Sequence, residues 1–339
     1  MNTIVIETAL ALEQAAVLRK LESVEDYVHP ITKSIYKIGY FNSKDSRLKV
    51  IVGRTNQTNV NAGIETERII QHFSPTYLFF VGVAGGLKDV GIGDIVIGEN
   101  VFGFERGKAK EEFLSRPQFG FSSYALEQLA VAYSTSKEWE LRSKEILNNK
   151  FHDEISIYSG TIASGEKVVG STKSIIHAYL KQNCSHALAV EMEGLGFLEA
   201  CRPYPLIKTL LLRGISDLVD GKEDADNEGS QPYSVNNAVE FLFGLIDFLD
   251  IKQKEPISSI KNKLFEITTK LYPEGIKDKG IWSRSGGDLS LIQLYTTGKA
   301  QWIDALKMIE NGGGGDIDFD TLIIEMKKDY PKNESWKEL

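Results

Sequence analysis

The stretch Tyr77-Leu-Phe-Phe-Val-Gly-Val-Ala-Gly-Gly-Leu87 joins a continuous apolar run to a glycine-rich end. A short apolar run bounded by glycines is typical of a strand that is buried on both faces. Such strands belong to mostly parallel sheets covered by helices. Ligands of these sheets bind at the carboxyl ends of the strands, which is where the glycines lie. The stretch therefore predicts both a fold class and the position of a binding site.

The same pattern recurs on both sides of this strand. Apolar β-branched runs alternate with amphipathic stretches through residues 1–250, which predicts an α/β domain with a mostly parallel central sheet flanked by helices. Predicted strands cover residues 3–7, 49–53, 77–82, 94–97, 156–163, 187–190 and 207–213. Predicted helices cover residues 11–21, 64–73, 123–134, 172–182, 194–200 and 235–249.

A different pattern follows this domain. The polar segment 251–260 contains Pro256 and is typical of a linker. Beyond it, helical spacing occurs at residues 261–271, 288–295, 299–311 and 319–330, with proline and glycine breaks between the helices. No alternation typical of strands competes, so residues 261–339 predict a small all-α bundle.

The overall composition excludes several classes of protein. The chain has 339 residues, 42% of them hydrophobic, and a formal net charge of -8, so we expect a globular protein that binds neither nucleic acid nor a membrane surface. Two cysteines cannot build a disulfide framework, and no apolar stretch is long enough for a bilayer. The first residues lack the basic segment of a secretory signal, which favours a cytoplasmic location. The five histidines lack ligand spacing, so we expect no metal and no other cofactor.

Four segments at the predicted strand and helix ends carry acidic residues and glycines. They are Thr8-Ala-Leu-Ala-Leu-Glu13, Gly82-Val-Ala-Gly-Gly-Leu87, Ala189-Val-Glu-Met-Glu193 and Arg213-Gly-Ile-Ser-Asp217. In order and spacing they resemble the purine nucleoside phosphorylase superfamily, most closely its nucleosidase branch, which includes methylthioadenosine/S-adenosylhomocysteine nucleosidases. The resemblance implies a mixed central sheet flanked by helices, cleavage of the N-glycosidic bond of a purine nucleoside or nucleotide, and a homo-oligomer.

Cleavage of the bond between ribose C1′ and a purine nitrogen develops positive charge on the sugar and releases a base that leaves poorly as an anion. The resemblance implies that Asp217 is the general acid at N7 and that Glu13 activates water against C1′. It also implies that Glu193 accepts the ribose hydroxyl protons, with Met192 against the sugar. The other predicted substrate-binding residues are Val83, Ala84, Gly85, Gly165, Val168, Val169, Glu191, Ser216 and Arg54.

These acidic residues also have purely structural interpretations. Glu13 lies near a helix start, where a carboxylate interacts favourably with the helix dipole. Asp217 could be the N-cap of the segment that follows it. Glu191 and Glu193 occupy alternate positions, so in an extended strand only one faces the pocket, and we expect that one to be Glu193. Met192 could be ordinary core packing.

Departures from the family pattern bear on the reaction and on the substrate. The arginine and the serine with which the phosphorylases bind phosphate are absent from the region of Phe80-Val-Gly-Val83, so hydrolysis is favoured over phosphorolysis. Val168 stands where the nucleosidases carry an aromatic side chain that stacks on adenine. The resemblance therefore does not fix which purine base is released. Arg54 could bind the phosphates of a nucleotide or could simply be solvated.

Residues 261–339 resemble the type-one effector-associated domain of bacterial conflict systems, on Tyr272-Pro, Tyr330-Pro and Trp302. The resemblance implies recruitment through a like domain on a partner protein, and a generic bundle with these aromatics in its core is the alternative. We therefore expect an anti-phage effector that hydrolyses a purine nucleotide, with ATP or another adenine nucleotide as substrate. The alternatives are an orphan nucleosidase or phosphorylase for free purine nucleosides and a non-catalytic nucleotide sensor.

Overall fold

The structure is a computed structural model of the chain, and it describes residues 3–44, 46–111, 113–147, 151, 154–220, 222–249, 257–295 and 297–337. These residues fall into two compact units, one within residues 2–253 and the other within residues 254–339. Residues 251–256 of the predicted linker lie outside the described part of the chain. The helix that follows begins at Ile257, earlier than the predicted start at residue 261.

The described part of the first unit contains twelve strands and eight helices. The strands are β1 (Ile4–Thr8), β2 (Glu22–Val28), β3 (Ile35–Asn42), β4 (Arg47–Arg54), β5 (Tyr77–Gly86), β6 (Ile95–Gly103), β7 (Gly107–Ala109), β8 (Phe113–Ser115), β9 (Gln118–Phe121), β10 (Ile157–Ser164), β11 (Ala189–Glu191) and β12 (Lys208–Asp217). The helices are α1 (Ala11–Leu18), α2 (Asn59–Phe73), α3 (Tyr124–Ser134), α4 (Lys137–Ile146), α5 (Ile175–Asn183), α6 (Gly194–Cys201), α7 (Lys222–Asn227) and α8 (Ser230–Phe248).

One mixed sheet holds ten of these strands, in the order β11-β10-β6-β12-β5-β1-β4-β3-β2 with β9 paired to β6. The pairs β12–β5, β5–β1 and β1–β4 are parallel, and so are β6–β10 and β10–β11. The β12–β6 pair that joins these two groups is antiparallel. Strand β11 also pairs with β5, so this part of the sheet closes on itself. The predicted α/β fold with a mixed central sheet is confirmed.

Helices cover both faces of the sheet. Ile4 and Ile6 of β1 pack in the core formed with α1, α3, α4 and α8, while Val5 between them packs in the core formed with α2 and α6. Successive side chains of a strand point to opposite faces, so an unbroken apolar strand supplies both cores at once. The polar loops are thereby left at the ends of the strands.

The sequence pattern did not predict the edge of the sheet. Strands β2 and β3 were both missed, and six of the seven residues of β2 are exposed. Such a strand has no apolar alternation to distinguish it from a loop. Its residues are held by antiparallel pairing with β3, a contact that becomes visible only in the folded chain.

The second unit is helical, as predicted. It contains α9 (Ile257–Leu271), α10 (Ile281–Arg284), α11 (Gly298–Glu310) and α12 (Phe319–Asp329), around a core that includes the fully buried Trp282 and Trp302. The predicted helix over residues 288–295 is wrong, because only Leu289–Leu291 form a short 3-10 turn and the backbone is extended at Ile292. The Asp288 carboxylate accepts a hydrogen bond from the Ser290 N–H, a local bond that competes with helix formation.

None of the helices in the described part of the chain is both long and apolar enough to cross a membrane.

Candidate active site

A cavity opens at the carboxyl ends of the strands in the first unit. Its walls come from the segments that follow β1, β4 and β10, from the ends of β5, β11 and β12, and from the start of α8. The lining residues are Ala9, Leu10, Glu13, Gln57, Val83, Ala84, Gly85, Lys167, Val168, Val169, Val190, Glu191, Met192, Glu193, Ser216, Asp217 and Gln231.

The structure brings most of the predicted site residues to this one cavity. Glu13 and Asp217, the predicted catalytic pair, line it together with Glu193. Eight of the predicted substrate-binding residues line it as well, namely Val83, Ala84, Gly85, Val168, Val169, Glu191, Met192 and Ser216.

Two predicted substrate-binding residues do not line the cavity. Arg54 is exposed at the end of β4. Gly165 is buried behind the lining segment, where a Cβ would come within 2.2 Å of the Phe104 ring. The glycine is therefore required by packing against Phe104.

Glu13 is held by backbone groups on two sides. It is the third residue of α1, and its Oε2 accepts hydrogen bonds from the N–H groups of Ala9 and Leu10, each at 2.8 Å. Its Oε1 accepts a hydrogen bond from the Val83 N–H at 2.9 Å. A Cβ on Gly82 would lie 2.6 Å from this Oε1, so only glycine lets β5 approach so closely. Glu13 thus serves the helix start and faces the cavity at the same time.

Burial raises the pKa of Glu13, and the nearby Arg213 and the three N–H donors oppose that rise. An ionised carboxylate has about four acceptor positions, so three bonds leave one position for a water molecule. The geometry suits a carboxyl group that exchanges a proton with such a water.

Glu191 and Glu193 both line the cavity, contrary to the expectation that only one of them would. Strand β11 ends at Glu191, and Glu193 adopts φ -127° and ψ -29° at the start of α6, so strand alternation no longer applies. The Glu191 Oε2 accepts hydrogen bonds from the N–H groups of Glu193 and Gly194. The Glu193 Oε1 accepts one from the Thr58 N–H at 3.2 Å.

Arg213 is the cation among these carboxylates, and no role was predicted for it from the sequence. It is 1% exposed and donates to the Oε2 of Glu191 at 2.6 Å and to the Oε2 of Glu193 at 3.5 Å. Its guanidinium carbon lies 4.5 Å from the centre of the Phe80 ring. The position of an arginine inside the apolar strand Lys208–Asp217 could have predicted this pairing, because a buried charge is costly unless it is paired.

The pKa of Glu193 is raised to about 7. Burial is the main cause and the charge of Glu191 adds to it, while Arg213 acts in the opposite direction. Burial disfavours the charged form of Arg213, but Glu191, Glu193 and Glu13 together raise its pKa above the ordinary value. Glu193 therefore changes its protonation state close to neutral pH.

Asp217 ends β12 and is 1% exposed. Its Oδ2 accepts a hydrogen bond from the Ser216 hydroxyl at 3.0 Å, and its Oδ1 accepts one from the Val219 N–H at 3.1 Å. The next helix, α7, begins at Lys222, so Asp217 is not its N-cap. The two bonds fix the carboxyl group at the cavity wall.

Three polar residues line the cavity without having been predicted, namely Gln57, Lys167 and Gln231. Lys167 pairs with Glu105 at 2.6 Å. Each of the three lies in a loop or at a helix start with no marked pattern, so only the fold places it at the cavity. Within the described residues, no three His, Cys, Asp or Glu side chains are grouped so as to hold a metal ion.

Comparisons with known proteins agree with this geometry. A family model described as the phosphorylase superfamily matches residues 3–247. A 5′-methylthioadenosine/S-adenosylhomocysteine nucleosidase of Staphylococcus haemolyticus is 26% identical over 217 residues, which cover 63% of this chain and 89% of that protein. The corresponding protein of Staphylococcus epidermidis is 24% identical over 221 residues, which cover 65% of this chain and 88% of that protein.

Solved structures show the same fold. A putative nucleosidase of this kind from Francisella philomiragia has a TM-score of 0.56 at 24% identity, covering 73% of this chain and 99% of its own. The futalosine hydrolase of Helicobacter pylori has a TM-score of 0.55 at 23% identity, covering 73% of this chain and 97% of its own.

Proposed function

Because the chain belongs to the phosphorylase superfamily, we propose that its first unit is an N-glycosyl hydrolase that releases the base from a purine nucleoside. One observation carries this proposal. Glu13, Glu193 and Asp217 come from distant parts of the chain and line one cavity. That set of acidic groups matches the three tasks of the reaction, which concern the water, the sugar and the base.

The sugar develops positive charge as the bond to the base breaks. Glu13, Glu191, Glu193 and Asp217 surround the cavity, and Arg213 is the cation buried among them. An ionised carboxylate among them stabilises an oxocarbenium-like ring. Glu193 accepts hydrogen bonds from the ribose hydroxyls, and Arg213 and the Thr58 N–H hold its carboxylate in place.

The base leaves more readily when a proton is delivered to its ring nitrogen. Asp217 is the acid in this proposal, because Ser216 and the Val219 N–H fix its carboxyl group at the cavity wall. Val168 and Val169 provide apolar surface for the purine. Val168 is 59% exposed, so one face of the base is covered less completely than a stacked aromatic ring would cover it.

Water is favoured over phosphate as the nucleophile. Among the described lining residues the cation is Lys167, and its ammonium group is already paired with Glu105, so an attacking phosphate lacks a free charge partner there. Glu13 is placed to accept a proton from a bound water, since three N–H donors orient its carboxylate and leave room for one more bond.

We also propose a more specific role, which rests on the two resemblances. The substrate is a purine nucleotide such as ATP. The enzyme is a homo-oligomer in the cytoplasm. In anti-phage defence, the helical unit recruits it to a partner protein that carries a like domain. Such an enzyme would deplete a central nucleotide when it is recruited, which would explain why a hydrolase is joined to a recruitment unit. Gln57 and Gln231 support a polar substrate, since their side-chain amides can donate hydrogen bonds to a phosphorylated sugar.

Incubation of the purified chain with adenosine, methylthioadenosine, AMP and ATP, each with and without inorganic phosphate, tests the proposal. We expect free base without phosphate, detected by mass spectrometry. Release that requires phosphate would show a phosphorylase. Tight binding with no product would show a sensor. Base from nucleosides alone would retain the hydrolase and remove the nucleotide-directed role.

A further inference from the structure

The loop between β4 and α2 has a strained backbone beside the cavity. Asn56 and Thr58 have positive φ angles of 64° and 92°. For a β-branched residue such as threonine a positive φ is a clear outlier. Such conformations persist where surrounding contacts impose them, and they cluster at functional sites.

The strained loop serves the carboxylate that is proposed to bind the ribose. The Thr58 N–H donates to the Glu193 Oε1 at 3.2 Å, and the neighbouring Gln57 lines the cavity. Thr58 is the residue before α2 and has no side-chain hydrogen bond of an N-cap. Contacts elsewhere must therefore hold its N–H in this direction.

Asn59, the first residue of α2, supplies those contacts. Its Oδ1 accepts hydrogen bonds from the Ser164 hydroxyl at 3.0 Å and from the Gly196 N–H at 2.9 Å. Its Nδ2 donates to the Gly165 carbonyl oxygen at 3.3 Å. One side-chain amide thus joins three separate segments of the chain.

Each of these segments also contributes to the cavity. Ser164 and Gly165 directly precede the lining residues 167–169, and Gly196 lies three residues beyond Glu193. A Cβ on Gly196 would lie 1.9 Å from the Asn59 carbonyl oxygen, so the backbones of α2 and α6 are in direct contact here. A shift of Asn59 would move the loop away from both neighbouring segments.

We propose that Asn59 is a positioning residue, which holds the three segments together and directs the Thr58 N–H at the Glu193 carboxylate. The inference rests on the proposed function, because it assigns Asn59 to the same reaction. Asn59 does not itself line the cavity. It acts through Thr58 and Glu193 on the binding of the sugar.

A change in pH dependence distinguishes this role from general support of the fold. The Thr58 N–H stabilises the ionised form of Glu193 and so lowers the pKa of that carboxyl group. Loss of the bond raises the pKa. The acid limb of the kcat/KM profile, which depends on ionised Glu193, then moves to higher pH.

The test compares Asn59→Ala and Asn59→Asp with wild type, using adenosine as substrate, or AMP if only the nucleotide is turned over. We expect kcat/KM of Asn59→Ala to fall by about 10- to 100-fold, mostly through KM, with the acid limb at higher pH. Asn59→Asp keeps the acceptor for Ser164 and Gly196 and should recover most of the loss. Gln71→Ala is the matched control, because Gln71 lies on the same helix and bonds to Tyr204 far from the cavity.

Asn59→Ala with wild-type kcat/KM and an unmoved acid limb would overturn the inference. If Asn59→Ala fails to fold, Ser164→Ala is tested instead, and we expect its kcat/KM to fall by about 3- to 10-fold. An unchanged kcat/KM of Ser164→Ala would count against the positioning role. A wild-type chain that releases no base contradicts the proposed function instead. Calorimetric affinities for adenosine and AMP then decide on Asn59, since a positioning role requires weaker binding by Asn59→Ala.

Discussion

The cavity of the first unit and the core of the helical unit bury different kinds of side chain. Around the cavity, carboxyl groups and a guanidinium are almost completely enclosed. In the described residues of the helical unit, the buried polar side chains are those of Thr268, Ser285 and Gln301, and none of them carries a charge. Burial of charge costs stability, so proteins retain it mainly where chemistry requires it. The difference favours the first unit as the place of the proposed chemistry.

Asp217→Asn tests the cavity side of this comparison most strongly. The amide keeps the size of the side chain but cannot deliver the proton, so we expect kcat/KM to fall by about 10²- to 10⁴-fold while substrate affinity stays close to wild type. Steady-state kinetics and calorimetry measure the two quantities. Asp26→Asn, which alters an exposed carboxylate paired with Lys37, is the control. Unchanged turnover would remove Asp217 as the acid.

Trp302→Ala tests the core of the helical unit. Trp302 is fully buried and donates its Nε1–H to the Tyr272 carbonyl oxygen at 2.9 Å. Its removal should destabilise the helical unit by about 3–5 kcal/mol in chemical denaturation. Base release by the first unit should remain within about twofold of wild type, since no cavity residue changes. Ile303→Ala, at an exposed position on the same helix, should cost less than about 0.5 kcal/mol. A loss of turnover that parallels the loss of stability would contradict the separation of roles.

Glu7→Gln sharpens the comparison within the first unit, because Glu7 is a buried carboxyl group that does not line the cavity. Burial raises its pKa from 4.5 to about 8. Between these values the folded chain keeps a proton that the unfolded chain loses, so the free energy of unfolding falls as pH rises, by up to about 1.4 kcal/mol per pH unit. The amide removes this contribution. Denaturation at pH 5 and pH 8 should show a smaller difference for Glu7→Gln than for wild type, with base release unchanged.

The pH profile of kcat/KM gives the smallest expected effect. In the proposed reaction Glu193 accepts hydrogen bonds from the ribose hydroxyls in its ionised form, and its pKa is raised to about 7. The rate should therefore fall by at least about tenfold per pH unit below that value. A profile that is flat from pH 5 to pH 8 would show that Glu193 does not titrate in the free enzyme in this range.

Elements whose residue pattern along the chain is enough to define them could be predicted from the sequence. Strand β5 could be predicted because an apolar run and its glycines occur together at residues 77–87. The exposed strand β2 could not, since pairing with β3 is what defines it. The 3-10 turn Leu289–Leu291 was missed for a related reason, because apolar spacing alone does not show that the chain becomes extended at Ile292.

The same limit applies to the site. Glu13, Glu193 and Asp217 could be predicted because they lie in motifs whose order and spacing resemble those of the family. Arg213 was in a motif too, but its pairing with the carboxylates depends on strands brought together by the fold. Asn59 had no such marker, because its three partners lie about 105 to 137 residues away in the chain.

Reaction in water enriched in oxygen-18 shows whether the cavity lined by Glu13, Glu193 and Asp217 hydrolyses the bond between sugar and base. The purified chain is incubated with the substrate that it turns over, without phosphate, and the sugar product is trapped by reduction before mass spectrometry. When the sugar is reduced before its C1 oxygen exchanges with water, we expect one labelled oxygen at C1 in the wild type and only a trace of product for Asp217→Asn. Free base accompanied by an unlabelled sugar, or equal product from both chains, would contradict this expectation.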